Sequence, residues 1–168
     1  MLLRTIVATL LASLSFITHA NEADEGFYMG LSAGVMNVDI GNASNPTNAA
    51  IQMGYHFSDM WAIEAQYSDS MRDGKVDLNY GYYTNRDFEF GIQTLAAYGV
   101  FRTRGDVFFK AKAGLVREKV LSVNDTGASA GVGLGFRLGE SKRSNVELEA
   151  TIIEADVLFL SAGFNIGF

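Results

Sequence analysis

An all-β fold, an eight-stranded antiparallel up-and-down β-barrel that crosses a bilayer, is the class this sequence predicts, and three observations predict it. First, the final eleven residues alternate. Leu158, Leu160, Ala162, Phe164, Ile166 and Phe168 are all apolar, while Phe159, Ser161, Gly163, Asn165 and Gly167 are mostly small or polar. A period of two belongs to a strand with one greasy face and one slim face. Second, the first twenty residues read as an export signal: Arg4, an apolar run from Ile6 to Ile17, then Thr18-His19-Ala20. Third, the chain is 48% hydrophobic, with 18 glycines against one proline. Beyond the signal no stretch approaches the roughly 18 uninterrupted apolar residues of a membrane helix. Apolar residues arranged by alternation, with tight glycine turns, suit strands that span.

The apolar run near the start is too short to cross a hydrocarbon core of roughly 30 Å, and no stop-transfer charges follow it. Residues 1–20 are therefore expected to be a signal peptide removed before Asn21, leaving 21–168 as one barrel domain. The chain has no cysteine, so no disulfide framework holds it. A net charge of −6 and the lack of a basic patch with interleaved aromatics argue against nucleic acid as a partner.

The elements follow in order. Strand one covers about 27–38, with Phe27, Met29, Leu31, Ala33 and Val35 opposite Gly30, Ser32 and Gly34. Strand two, 51–57, sets Ile51, Met53, Tyr55 and Phe57 against Gln52, Gly54 and His56. After a turn at 58–60, strand three sets Trp61, Ile63, Ala65 and Tyr67 against Ala62, Glu64 and Gln66. Strand four, about 88–101, is expected to show Phe88, Phe90, Ile92, Ala96, Tyr98 and Val100 on the apolar face and Glu89, Gly91, Gln93 and Gly99 on the other. Beyond the turn 103–106, strand five sets Phe109, Ala111, Ala113 and Leu115 against Lys110, Lys112 and Gly114. Strand six sets Ala130, Val132, Leu134, Phe136 and Leu138 against Ser129, Gly131, Gly133, Gly135 and Arg137. Strand seven sets Val146, Leu148, Ala150 and Ile152 against Glu147, Glu149 and Thr151. The terminal segment is the eighth, an even number joined by hairpins.

A soluble lipocalin-like barrel would show the same alternation turned inside out. The small face decides against it. A water-facing wall carries many Lys, Glu and Thr side chains, whereas this face is Gly30, Ser32 and Gly34 on one strand and Ser129, Gly131, Gly133 and Gly135 on another. Such residues fit the crowded lumen of an eight-stranded barrel. The apolar face also gathers aromatics at strand ends: Phe27, Tyr55, Phe57, Trp61, Tyr98, Phe109, Phe136, Phe164 and Phe168. They are expected to form an interfacial girdle at one edge. Both chain ends and the connections 58–60, 103–106 and 139–145 share that edge, expected to be periplasmic. Connections 41–48, 70–87, 122–127 and 154–156 lie at the other, with the long 70–87 loop outside the cell.

Three segments carry a resemblance: Gly26-Phe27-Tyr28-Met29-Gly30-Leu31, Gly54-Tyr55-His56-Phe57 followed by Trp61-Ala62-Ile63-Glu64-Ala65-Gln66-Tyr67, and Lys110-Ala111-Lys112-Ala113-Gly114. They resemble the small outer-membrane β-barrel family, which includes the OmpA transmembrane domain and opacity-type surface proteins. The likeness extends over nearly all of the chain after the signal. It implies a place in the outer membrane of a Gram-negative cell. It also implies that Phe164, Ile166 and Phe168 act as the insertion signal read by the barrel-assembly machinery. OmpA carries a peptidoglycan-binding domain after its barrel, and this chain is expected to lack room for one.

Candidate chemistry is sparse. Once the signal leaves, His56 is the remaining histidine, and no His/carboxylate spacing resembles a metal site. No cofactor is expected. His56-Phe57-Ser58 with Glu64 resembles the His-x-Ser pair and Glu of lipid A deacylases, which are also eight-stranded barrels. However, His56 faces the lumen at the periplasmic end in this register, and lipid A occupies the outer leaflet. A polar lumen residue beside a turn is the better account. Glu64, Lys110, Lys112, Arg137, Glu147 and Glu149 face inward, three acids and three bases whose pairing would plug the barrel. OmpA-type barrels carry similar interior clusters. On the long loop, Arg72, Lys75 and Arg86 suit lipopolysaccharide phosphates, and Tyr80, Tyr82 and Tyr83 suit a host or phage partner. The expected protein is a non-enzymatic surface barrel serving envelope structure or adhesion. A lipid A-modifying enzyme and a narrow low-conductance pore are the alternatives.

Overall fold

The computed structural model describes residues 25–38, 44–78, 86–120, 123–154 and 157–168. Ten strands follow one another: β1 (Gly26–Val38), β2 (Thr47–His56), β3 (Trp61–Arg72), β4 (Gly74–Leu78), β5 (Arg86–Phe90), β6 (Ile92–Arg102), β7 (Val107–Val120), β8 (Val123–Leu138), β9 (Ser144–Ile153) and β10 (Val157–Gly167). Eight of them close an antiparallel barrel in the order β1-β2-β3-β6-β7-β8-β9-β10, and β4 pairs with β5 in a separate two-stranded sheet. Closure rests on the terminal strand: β1 and β10 pair from Tyr28↔Gly167 to Val38↔Val157. Phe168 then donates its amide to the Phe27 carbonyl at 2.9 Å. No barrel strand is left with an open edge.

The alternation sorts the walls as expected for most strands. Phe27, Leu31, Val35, Ile51, Ile63, Leu134, Leu148, Leu160 and Phe164 point outward and are exposed. Tyr28, Gln52, Glu64, Lys110, Lys112, Ser129, Glu147 and Asn165 point inward and are buried. An apolar exterior around a polar interior inverts the pattern of a soluble barrel. Glycines on the inner face make room for the large side chains there. The Tyr28 ring covers its cross-strand partner Gly54, and the Phe108 ring covers Gly135. A Cβ would stand 2.4 Å from the Tyr28 ring at Gly54 and 2.1 Å from the Phe108 ring at Gly135.

β6 departs from the expectation. The expected strand 88–101 is broken at Gly91 into β5 and β6, and its faces are reversed. Ile92, Thr94, Ala96, Tyr98 and Val100 are buried in the lumen, while Leu95 is exposed on the outer wall. Tyr98 is therefore not a girdle residue. Both faces of this strand are largely apolar, so alternation does not separate them. Polar partners do: Thr94 Oγ1 lies 2.7 Å from Ser68 Oγ. The Tyr98 hydroxyl lies 3.0 Å from Ser129 Oγ, whose own proton goes to the Ile152 carbonyl at 2.7 Å. Those bonds exist only on the inside, and an unpaired hydroxyl in hydrocarbon costs several kcal/mol.

At the break, Ile92 donates its amide to Ser70 Oγ at 2.8 Å, and Asn48 Nδ2 donates to the Ile92 carbonyl at 2.7 Å. Side chains thus replace a ladder partner while the register between the two limbs slips by two residues, from Ser68↔Thr94 to Gly74↔Phe90. Residues 123–127, expected as part of a loop, belong to β8. The polar run there pairs with β7 as Arg117↔Thr126, Glu118↔Asp125 and Lys119↔Asn124, carrying the hairpin up to Val120↔Val123. The short turns at 57–60, 103–106 and 139–143 define one end of the barrel. The β4–β5 sheet and the β7–β8 tip define the other, called here the loop end.

Candidate functional site

The interior of the barrel gathers its charges. Glu64 comes from β3, Lys110 and Lys112 from β7, and Glu147 and Glu149 from β9, each at an inward position of its strand. Lys110 Nζ reaches all three acids: Glu64 Oε2 at 3.0 Å, Glu147 Oε2 at 3.0 Å and Glu149 Oε2 at 2.9 Å. Lys112 pairs with Glu149 and donates to Gln66 Oε1 at 3.1 Å. Its ammonium also lies 4.4 Å from the centre of the Tyr98 ring. Tyr28 donates its hydroxyl proton to Glu64 Oε2 at 2.7 Å, bringing β1 into the network.

The sixth ion is Arg102, at the last position of β6. Its guanidinium pairs with Glu147 Oε1 at 3.1 Å, lies 4.0 Å from Glu64 Oε2 and donates from Nη1 to His56 Nε2 at 3.0 Å. Arg102 lies between the expected strand 88–101 and the expected turn 103–106, so the sequence reading gives it no face. The signal was available: Arg102 shares the parity of Tyr98 and Thr94, and a strand that puts those hydroxyls inside puts Arg102 there too. Arg137, expected in the cluster, is half-buried nearer the turn end, with its guanidinium 5.8 Å from the Phe108 ring centre. With Arg102 counted, three acids and three bases therefore face one another.

Lys110 is 1% exposed and Glu64 3%. Taking such ions from water costs several kcal/mol each, recovered only when every charge has several close partners. Lys110 has three. The network ties β1, β3, β6, β7 and β9 together across the lumen. Toward the loop end the chemistry changes. Met36, Ile92, Val116, Ile153, Val157 and Phe159 form a buried apolar layer, with Phe90 packed among them. Toward the turn end Gln52 Nε2 donates to Asn165 Oδ1 at 2.5 Å, and Asn165 Nδ2 donates to Asn145 Oδ1 at 2.9 Å.

The His56, Ser58 and Glu64 side chains are each engaged with other groups. His56 faces the lumen against Arg102 and the Tyr28 ring, whose centroid is 4.7 Å away. Ser58 Oγ accepts from the Trp61 amide at 3.1 Å, and Glu64 is committed to Tyr28 and Lys110. Among the described residues no group of three or more His, Cys, Asp or Glu side chains is arranged to hold a metal ion. Of the loop candidates, Arg72 is exposed at the rim, where its backbone pairs with Thr47. Lys75 is exposed and paired with Glu89 at 3.1 Å. Tyr80, Tyr82 and Tyr83 lie outside the described residues, as does the side chain of Arg86. Phe164, Ile166 and Phe168 stand exposed on the outer wall at the turn end.

A closed barrel with an apolar outer wall and a charged, hydrogen-bonded interior is a transmembrane β-barrel. The chain belongs to the outer membrane protein beta-barrel domain family, which matches residues 6–168, and is a protein of the outer membrane. No curated protein matches its sequence. Among solved structures it is similar to Neisserial surface protein A, with 18% identity and a TM-score of 0.57 over 88% of this chain and 100% of that one. It is similar to Ail, the attachment invasion locus protein of Yersinia pestis, solved in complex with the heparin analogue sucrose octasulfate. That match has 16% identity and a TM-score of 0.52 over 86% of this chain and 96% of that one. The N-terminal β-barrel domain of OprF from Pseudomonas aeruginosa matches at 12% identity and a TM-score of 0.56, covering 86% and 99%.

Proposed function

We propose that this protein is a non-catalytic surface barrel whose lumen is closed and whose loop end, facing outward, serves adhesion or envelope structure. The observation that carries the reading is the filled interior: the six-ion network spans the lumen, and the apolar layer of Met36, Ile92, Val116 and Phe159 lies above it. An ion entering from the loop end would meet an apolar constriction whose neighbouring polar groups, Asn48 and Ser70, are already bonded to the Ile92 backbone, then a set of charges already neutralised by one another. Planar-bilayer recording tests the closed lumen. The expected result is no steady conductance, and a large steady conductance in the unaltered protein would overturn it.

With the lumen closed, action falls to the loop end and the outer wall. Residues 70–87 hold β4 and the first residues of β5, and Ser44 extends that sheet by donating its amide to the Lys75 carbonyl at 2.7 Å. Comparing cell binding and lipid composition with and without residues 70–87 tests the surface role, and unchanged binding speaks against adhesion through that loop. A His56→Ala change is expected to leave lipid A chemistry untouched. Residues 1–20 are proposed to be a cleaved export signal, checked by the N-terminal mass of the membrane-inserted protein. Phe164, Ile166 and Phe168 are proposed as the segment recognised by the barrel-assembly machinery.

A further inference from the structure

The outer wall of the barrel carries charges that the lumen network does not use. On β7 the outward positions run Ala113, Leu115, Arg117, Lys119 toward the loop end, with Leu115 66% exposed and Val116 buried behind it. Arg117 and Lys119 are exposed, while Glu118 between them turns to the inner face. The β7–β8 hairpin is sorted by charge. Its acidic pair, Glu118 and Asp125, lies across the ladder on the inner face, and Arg117 and Lys119 occupy the outer one. Their outward cross-strand neighbours are neutral: Leu95 and Gln93 on β6, Thr126 and Asn124 on β8. On β3, the outward Asp69 is engaged by the Tyr67 hydroxyl at 3.3 Å and by Gln93 Nε2 at 3.4 Å. Among the described residues neither Arg117 nor Lys119 has an ion pair. At the turn end, by contrast, Arg104 pairs with Asp59 at 2.9 Å and Lys142 with Asp106 at 2.6 Å.

We propose that Arg117 and Lys119 form a binding site on the outer wall for the phosphate of a membrane lipid. Two residues apart on one face of a strand are about 7 Å from each other. Two unpaired cations that close, above an apolar wall at the headgroup level, repel in a medium that screens them poorly. One phosphate between them removes the repulsion: Arg117 presents a planar fork to two oxygens and Lys119 a point charge to a third. Leu115 on the same face and Leu95, the β6 register partner of Arg117, offer apolar surface to the stems of such long basic side chains at a membrane interface. The chemistry calls for a phosphate held at a fixed depth by acyl chains, which a lipid headgroup supplies and a free ion does not. The outward orientation of the loop end, taken from the reading above, decides only that this lipid comes from the outer leaflet.

The test uses the folded protein in nanodiscs of phosphatidylcholine containing a minority of lipid A, with lipid retention read by native mass spectrometry. Arg117→Gln with Lys119→Gln is expected to lower the apparent affinity for lipid A about tenfold or more, at about one kcal/mol per basic residue near a membrane surface. The double variant must still migrate as a folded barrel before heating. Unchanged retention in that folded variant overturns the proposal. So does displacement of the lipid by inorganic phosphate, which would mark a soluble-anion site. A measurement on the unaltered protein needs no variant: a phosphorus–nitrogen dipolar contact at the Arg117 guanidinium is expected in lipid A bilayers, and its absence is equally fatal. Nanodisc leaflets are equivalent, so these results stand whichever way the loop end points in the cell. Surface labelling of Lys75→Cys on whole cells tests that orientation separately.

Discussion

Replacing Lys110 by methionine should be among the most damaging single changes in the barrel. Its ammonium lies about 3 Å from carboxylate oxygens of Glu64, Glu147 and Glu149 and is shielded from solvent. The change leaves three acids facing Arg102 and Lys112 alone. Removing one partner from a buried ionic set costs about 3–5 kcal/mol, because a desolvated charge is left uncompensated. At about 1.4 kcal/mol per decade, that is a loss of roughly two to three and a half decades in the folding equilibrium. Urea unfolding in lipid vesicles measures it, read by heat-modifiable gel mobility and by fluorescence of the single tryptophan, Trp61, which stands against the Phe101 ring at the turn end. Adding Glu147→Gln to Lys110→Met leaves two acids and two bases and should recover at least half of the loss. A Lys110→Met barrel within about 0.5 kcal/mol of the parent would refute the reasoning, since only a solvent-screened pair behaves so.

Four further outcomes check the strand assignments and the turn end. Ala97→Arg, on the outer face of β6, should cost about 2–4 kcal/mol in bilayers if that wall meets lipid near the midplane; a neutral result in the same unfolding assay would restore the reversed register. Gly135→Ala should destabilise by about 1–3 kcal/mol because its methyl meets the Phe108 ring. Gly99→Ala, whose nearest neighbour would be the Ala113 carbonyl at 3.9 Å, should fall within about 0.5 kcal/mol of the parent. The Asp106 carboxyl should titrate below an ordinary aspartate, chiefly because Lys142 donates a hydrogen bond to it and adds its positive charge. A depressed pKa means the contact is present above the ordinary carboxylate range and is lost as pH falls through the lowered value. Carboxyl NMR should show that value rising toward normal in Lys142→Met.

Much of the fold was legible because hydrophobic alternation and strand geometry share a period. β1, β9 and β10 each set large apolar side chains against small or charged ones, so their faces followed directly. β6 was not legible for the complementary reason. Ile92, Ala96, Tyr98 and Val100 face Leu95, Ala97, Gly99 and Phe101, and neither set excludes itself from hydrocarbon. Grouping Tyr98 with the apolar set Phe88, Phe90, Ile92, Ala96 and Val100 places it outside. Arg102 falls one residue past the expected strand end at 101, whereas Glu64, Lys110, Lys112, Glu147 and Glu149 lie inside strands whose faces are unambiguous. The polar run 123–127 looked like a loop because alternation fades where a hairpin rises from the membrane into water. Backbone pairing continues there without any need for an apolar face.

The sequence by itself determined the class of fold, the even strand number, the sides of most strands and the collection of opposite charges inside. Each follows from the period of two and from the cost of placing polar groups in hydrocarbon. Tertiary structure alone decided which way β6 faces, which base completes the ionic set, and where β5 leaves the barrel wall. Those choices depend on partners distant in sequence, Ser129 for Tyr98, Glu147 for Arg102 and Ser70 for the Ile92 amide. A hydrogen bond or ion pair across a lumen has no period along the chain, so it becomes visible only when the barrel closes.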